Sequence, residues 1–152
     1  MVSQKCQYAI RAVFELARQA AQGRNLLKIE AIAKRQAIPI RFLENILNQL
    51  RGGGFVESER GRNGGYRLVR DPAGISVGEL IRFVDGPIGP IACADDAAKK
   101  CPLYGGCVFL DVWTRARQAM ENVYDETTIA NLLAEDRRLQ EQHQQRGIHY
   151  NI

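Results

Sequence analysis

The sequence of 152 residues contains no apolar run of the roughly 18 or more residues that a membrane-spanning helix requires. It has only two histidines, both in the polar C-terminal stretch, and neither a nucleophile–base pair nor a phosphate-binding glycine loop. These absences argue against a membrane protein and against an enzyme. Met1 leads directly into an amphipathic pattern rather than a charged-then-apolar leader, so we expect a cytoplasmic protein.

The charge is distributed unevenly along the chain, although the net charge is only +4. Residues 1–70 contain 13 Lys and Arg against 5 Asp and Glu, a net charge of +8. Residues 71–152 contain 8 against 12, a net charge of −4. This asymmetry indicates that the first half of the chain faces a polyanion and that the second half does not.

The order of patterns between residues 29 and 70 is typical of a winged helix-turn-helix. A short helix, a turn at Ala37-Ile38-Pro39 and a second amphipathic helix are followed by glycines and a basic hairpin. The second helix has apolar residues at helical spacing, namely Ile40, Leu43, Ile46, Leu47 and Leu50. The hairpin strands are predicted at 55–59 and 66–70, and a short apolar run at 26–29 suits an additional strand beside them. We therefore predict a mostly α-helical fold with a small β-hairpin wing, and double-stranded DNA as the partner.

Candidate DNA contacts follow from this arrangement. Arg41 and Glu44, early in the second helix, are predicted to reach base edges, because arginine pairs with guanine and a carboxylate accepts from cytosine. Arg60 and Arg62 are predicted to enter a minor groove, and Gly61 lets the backbone approach phosphates. The predicted phosphate anchors are Lys5, Tyr8 and Arg67. The alternative is a winged helix used for protein contact, with solvated arginines.

Three further helices are predicted around this unit. The first covers residues 3–22, with Glu15 on its outer face, and another covers 77–84, capped by Ser76. A long helix over residues 108–125 is either a dimer seam or packs on its own domain. Its candidate dimerisation residues are Phe109, Val112, Trp113, Ala116, Met120 and Val123. We divide the chain into a DNA-binding domain at 1–84, a cysteine-bearing loop at 85–107, and a dimerisation helix with a C-terminal helix and tail at 108–152.

Three of the four cysteines cluster at Cys93, Cys101 and Cys107, separated by seven and five residues. Thiolates are soft ligands for zinc, copper(I) or iron–sulfur clusters, and this spacing is wider than that of paired zinc knuckles. A larger inorganic core and a metal-free redox thiol switch both fit these residues. Cys6 is in phase with an apolar helical stripe and is predicted to be a buried hydrophobe.

Several stretches together resemble the Rrf-two superfamily of bacterial regulators, of the IscR, NsrR and RirA type. They are KCQYAIRAVFELA, IAKRQAIPIRFLENILNQLRGGGFV, RGRNGGYRLVRDP, ISVGELIRFVDG and the three spaced cysteines. The resemblance implies a homodimeric DNA-binding regulator that holds a 2Fe–2S or 4Fe–4S cluster and senses iron, nitric oxide or oxidants. By position it implies three cysteine ligands, DNA contacts at Glu44 and Arg60, and dimerisation through residues 108–125.

The sequence departs from this resemblance at the fourth cluster ligand. Relatives use a histidine shortly after the third cysteine or an aspartate on the partner's first helix, and those positions here hold Leu110 and Gln7. The expected function is a transcriptional regulator switched by a cluster, acting as repressor or activator. The alternatives are a cluster-free thiol regulator and an electron-transfer or cluster-carrier protein.

Overall fold

The computed structural model of the protein describes residues 1–89 and 101–145. Within them the elements follow in the order α1 (Gln4–Ala21), α2 (Ile29–Gln36), α3 (Ile40–Gly52), β1 (Val56–Glu59), β2 (Gly65–Leu68), a 3-10 turn (Pro72–Gly74), α4 (Val77–Asp85), α5 (Leu110–Glu126) and α6 (Ile129–Gln145). This is the predicted fold class, six helices with a two-stranded antiparallel hairpin.

Helix α1 is the centre of the fold, and it contacts α2, α3, α4, α6 and β2. Its N-terminus is capped by Ser3, whose side chain accepts from the backbone N–H of Cys6. Because neighbours cover α1 on several sides, the prediction that Glu15 lies on an outer face is wrong. Glu15 is fully buried, whereas Ala21, an apolar residue at the end of the same helix, is exposed.

The helix-turn-helix is formed by α2 and α3. Ala37, between them, adopts the left-handed conformation, and the buried Ile38 donates its N–H to the carbonyl of Ala33. Pro39 then takes the N-cap position of α3, where its missing N–H costs nothing. Leu43, Ile46, Leu47 and Leu50 of α3 are buried as predicted. Ile40, which the periodicity also placed on that face, is 44% exposed.

The wing is the β1–β2 hairpin, in which Val56 pairs with Leu68 and Glu59 pairs with Gly65. The apolar run at 26–29 joins it by one bridge, in which Leu27 and Tyr66 exchange backbone hydrogen bonds of 2.8 and 2.9 Å. Gly65 has φ +155°, and a Cβ added there would lie 2.6 Å from the Leu27 carbonyl oxygen. This bridge therefore fixes the base of the wing to the segment that leads into α2, and it depends on the absence of a side chain at residue 65.

Helix α6 returns to the core formed by the first half of the chain. Backbone hydrogen bonds join Val77 to Thr127 and Ile129 to Ile75, and the Ile129 side chain is fully buried. Thr128 caps α6, because its hydroxyl accepts from the N–H of Asn131. The start of α6 is therefore packed against the core of the winged-helix domain.

Helix α4 begins as predicted, with the Ser76 hydroxyl accepting from the N–H of Glu79. The Glu79 carboxylate, which in a capping box would bond back to the Ser76 N–H, instead accepts from Arg70 at 2.6 and 3.1 Å. Among the described residues, no helix is long and apolar enough to cross a membrane.

Candidate nucleic-acid interface and thiol segment

The first two turns of α3 present a mixed polar and apolar surface to solvent. Arg41, Glu44 and Asn45 are exposed, and so is Phe42, which is 46% accessible. The Arg41 guanidinium lies over the Phe42 ring, 4.8 Å from its centroid. Within residues 1–89 and 101–145, the Glu44 carboxylate has no hydrogen-bond or ion-pair partner. Both charged groups are therefore available to a ligand.

The tip of the wing carries two exposed arginines on a tight turn. Gly61 has φ +110°, a conformation that favours glycine, and its carbonyl accepts from the N–H of Gly64 at 3.1 Å. No carboxylate of the described part of the chain lies within ion-pair distance of Arg60 or Arg62. The described residues therefore do not compensate these two positive charges.

The N-terminal half of α1 lies beside α3. The centroids of the Tyr8 and Phe42 rings are 6.5 Å apart. The Arg11 guanidinium lies over the Tyr8 ring, 5.7 Å from its centroid. Lys5 is exposed and has no ion pair with any described residue. A cleft of about 560 Å³ separates the two helices, lined by Gln4, Lys5, Tyr8, Phe42, Asn45 and Ile46.

Arg67 differs from the other predicted anchors because two carboxylates already bind it. It contacts Glu57 at 2.8 Å and Glu59 at 3.0 Å, both on the facing strand. Hydrogen bonding and attraction from Glu57, with a further contribution from Glu59, raise the pKa of Arg67. Its contact with phosphate stays a prediction, and it would have to share or exchange these partners to make one.

Two of the three clustered cysteines fall within the described residues, and Cys93 lies outside them. Cys101 and Cys107 are free, partly buried thiols in successive turns that lead into α5. The Cys101 carbonyl accepts from Tyr104 and the Cys107 carbonyl from Leu110. No group of three or more metal-ligating side chains occurs among the described residues. The donor chemistry, soft thiols on a turn-rich segment, is compatible with an iron–sulfur cluster.

Cys6 is a different kind of thiol. It is completely buried, and it packs with Ile81 and Ile88. Burial, with a smaller contribution from Asp85, raises its pKa to about 12. A thiol held in the neutral form is a poor nucleophile and metal ligand. The predicted role of Cys6 as a buried hydrophobe agrees with this setting.

The stretch of chain between α4 and α5, residues 86–109, carries the three clustered cysteines and is called the thiol segment below. Helix α4, which precedes it, is hydrogen-bonded to the N-terminus of α1 and to α5. Asp85, the last residue of α4, accepts from the Ser3 N–H at 2.7 Å and from the Ser3 hydroxyl at 2.5 Å. Arg82 makes two hydrogen bonds of 2.7 Å to the Asp125 carboxylate of α5. Polar contacts thus connect α5 through α4 to the N-terminus of α1, which carries Lys5 and Tyr8.

Helix α5 covers part of the core with one face and leaves another open. Met120 and Tyr124 pack against the cluster formed by Cys6, Ile81 and Ile88. Val112 and Val123 are 49% and 62% exposed, and no residue of α5 is fully buried. Phe109 is 60% exposed and precedes the helix, which begins at Leu110 rather than at the predicted Val108. Trp113 and Ala116 are partly buried.

The apolar part of the α3 surface is the feature that the sequence reasoning missed. Phe42 is out of phase with the buried stripe of its helix, and this mismatch was the available signal for an exposed aromatic. The exposure of Ile40 has no such signal, because its spacing matches the stripe.

Comparisons with known proteins agree with this geometry. The profile of the Rrf2 family, described as iron-dependent transcriptional regulator, matches residues 2–135. An HTH-type transcriptional regulator of Rhodobacter capsulatus, named rrf2-like, is 39% identical over 139 residues, covering 88% of this chain and 93% of the relative.

The solved structures with a similar fold include an IscR and a CymR. The IscR of T. potens has a TM-score of 0.68 and 32% identity, covering 90% of this chain and 88% of that one. The CymR of B. subtilis, described as the global cysteine regulator, has a TM-score of 0.72 and 31% identity, covering 89% and 97%. With its winged helix-turn-helix, exposed arginines and family profile, the chain belongs to the Rrf2 family of transcriptional regulators.

Proposed function

We propose that the protein is a dimeric DNA-binding regulator whose affinity for its operator is set by an iron–sulfur cluster bound to Cys93, Cys101 and Cys107. The observation that carries this proposal is the position of the thiol segment. It joins α4 to α5, and α4 is hydrogen-bonded both to α5 and to the helix that carries Lys5 and Tyr8. A change in the thiol segment can therefore alter the DNA-facing surface through a short series of contacts.

The DNA-binding half of the proposal is supported by uncompensated positive charge on adjoining elements. Arg41 on α3 and Arg60 and Arg62 on the wing have no carboxylate partner among the described residues. In a winged helix these elements face a major groove and the neighbouring backbone or minor groove. We assign base contacts to Arg41 and Glu44, and backbone contacts to Lys5 and Tyr8.

The sensing half depends on what the thiols bind. A bound cluster would supply redox and ligand-exchange chemistry that responds to iron supply, oxidants or nitric oxide. The protein's own part is to hold the segment between two anchors, Asp85 at the end of α4 and Leu110 at the start of α5. Ordering or releasing that segment changes the restraint on α4 and, in a dimer, the spacing of the two α3 helices.

The cluster is tested by anaerobic purification or reconstitution, followed by iron and sulfide quantification and visible absorbance. We expect iron, sulfide and colour in the wild type and their loss in Cys101→Ala. Cys6→Ala is the matched control, because it removes a buried thiol outside the segment and should retain the cluster. Operator binding is then compared with and without the cluster at one salt concentration, and equal affinities would refute the switch.

The second candidate is a cluster-free thiol regulator. It is favoured by the similarity to CymR, described as a cysteine regulator, and by the free, partly buried Cys101 and Cys107. In this case reconstituted protein stays colourless and iron-free, while a mild oxidant changes operator affinity and a reductant restores it. If the oxidant changes the operator affinity of a Cys101→Ala variant to the same extent, neither candidate function is supported.

The DNA contacts are tested with a duplex selected from a random-sequence pool by the full-length protein. Arg41→Ala should relax the preference at one base position, with a loss of about 1 to 3 kcal/mol at that position. Lys5→Ala should instead weaken binding to all duplexes alike. It should also reduce the slope of log K against the logarithm of the salt concentration by about one. The same pattern from both variants would contradict the assignment.

A further inference from the structure

We propose that Phe42 is a specificity-determining residue, whose ring reads the 5-methyl group of a thymine in the major groove. This inference rests on the proposed DNA-binding function and assigns to it a base preference that hydrogen bonding does not supply. It would make one thymine of each half-site recognisable by its methyl group alone.

The first argument is the exposure of Phe42 in a place where an aromatic ring is not needed for the core. Phe42 is 46% accessible, whereas Leu43, the next residue, and Ile46, one turn later on the same helix, are buried. A single exposed hydrophobic residue on a protein surface requires no explanation. Phe42, however, lies in the first turn of α3, the part of the helix that enters a major groove in this fold.

The second argument is that the ring is held in a fixed position. Arg41 covers it with a guanidinium group at 4.8 Å, and Tyr8 lies at 6.5 Å on the neighbouring helix. Its open side borders the cleft of about 560 Å³ between α1 and α3. A side chain restrained in this way loses little conformational entropy on binding. The free energy gained from a small apolar contact is therefore not cancelled by the cost of ordering the side chain.

The third argument is the chemistry of the surroundings, which selects the ligand group. Lys5 and Arg41, beside the ring, have no carboxylate partner among the described residues, so the cleft attracts a polyanion. In the major groove of DNA, the thymine methyl is the apolar group that distinguishes one base from the others, and phenylalanine is a known partner for it. The combination of cations and an aromatic ring therefore matches a thymine flanked by phosphates.

The experiment replaces each thymine of the selected duplex, one at a time, with deoxyuridine, which lacks only the methyl group. With wild-type protein we expect one position per half-site at which this change weakens binding about four-fold, the effect of one buried methyl group. In Phe42→Ala the same change should have no effect, and Phe42→Leu should restore part of it. Lys5→Ala is the control, because it should weaken binding overall and keep the full thymine-to-deoxyuridine ratio.

Several outcomes would overturn the inference. One is a wild-type protein that tolerates deoxyuridine at every position. Another is an effect of the thymine methyl group that persists in Phe42→Ala. If that effect is instead lost in Ile40→Ala, the methyl contact belongs to Ile40. If Phe42→Ala loses the same affinity for the thymine duplex and for the deoxyuridine duplex, Phe42 contacts the sugar or the phosphate backbone instead of the methyl group. A chain that enriches and binds no duplex would overturn the proposed function itself, together with this inference.

Discussion

Glu15 is a fully buried carboxylate in the middle of α1. It accepts hydrogen bonds from Gln19 at 2.9 Å and from Gln36 at 2.7 Å, and it pairs with Arg18 at 2.9 Å. Gln36 is the last residue of α2, and its carbonyl accepts from Arg11. The carboxylate therefore joins α1 to the first helix of the helix-turn-helix. A buried charge of this kind is tolerated because its partners satisfy it.

We expect Glu15→Ala to lower the free energy of unfolding by about 2 to 4 kcal/mol, because it leaves two amides without their acceptor and leaves Arg18 with only the more distant Asp136, at 4.0 Å. Chemical denaturation followed by circular dichroism measures the change. Glu141→Ala is the control, because Glu141 is exposed and has no ion pair among the described residues. If Glu15→Ala lowers the free energy of unfolding no more than Glu141→Ala does, the hydrogen bonds and ion pair of Glu15 contribute nothing to stability.

At the scale of the elements, the position of the wing depends on one close backbone approach. Gly65 combines φ +155° with the contact to the Leu27 carbonyl, so a side chain there meets both strain and a clash. We expect Gly65→Ala to destabilise the fold by about 1 to 3 kcal/mol and to weaken operator binding. Thermal melting and a gel-shift titration measure the two effects. Gly74→Ala, at a position with open space and no positive φ, should leave both unchanged.

The pair between α4 and α5 gives a pH-dependent contribution to stability. The Arg82 guanidinium, mainly through hydrogen bonding, lowers the pKa of Asp125 below its ordinary value of 3.8. Stabilisation from the pair is therefore present above about pH 4 and is lost as the pH falls through the lower folded-state value. The side chains are 40% and 44% exposed, so solvent screening limits the contribution to about 0.5 to 1 kcal/mol.

Denaturation at pH 7 and pH 3 tests this. Asp125→Asn should be less stable than the wild type at pH 7 and should lose less stability on acidification. Asp111→Asn is the control, because Asp111 is 79% exposed and lies 3.7 Å from Arg115. If the two variants lose the same stability between pH 7 and pH 3, the Arg82–Asp125 pair does not contribute.

At the scale of the whole molecule, the open face of α5 fits the proposed dimer. Val112 and Val123 are exposed on this helix while its other face packs against α4. A second copy of the chain would bury these side chains and would bring two α3 helices to one operator. The alternative from the sequence, that α5 packs on its own domain, holds for the face with Met120 and Tyr124.

We expect Val123→Asp to convert the dimer to monomer, because it places a charge in an apolar interface. Sedimentation equilibrium measures the assembly state, and operator affinity should fall because two half-sites are no longer bound together. Leu139→Asp is the matched control, an exposed leucine on α6 that is 41% accessible. An unchanged dimer in Val123→Asp would place the interface elsewhere.

The sequence alone determined the order of helices and hairpin, the helix-turn-helix and its turn at Pro39. These features arise from local periodicity, capping and proline geometry, which need no distant neighbour. It also determined which half of the chain carries the positive charge, since composition is independent of folding. The Ser76 cap of α4 was predictable for the same reason.

Only the tertiary structure decided which polar groups are buried or paired and which apolar groups are not. Glu15 is buried because α2 brings Gln36 to it, and Arg67 is ion-paired because the hairpin register places Glu57 opposite. The exposure of Phe42 likewise depends on how α1 and α3 pack. These outcomes are set by residues distant in the chain, and local sequence patterns contain no information about such neighbours.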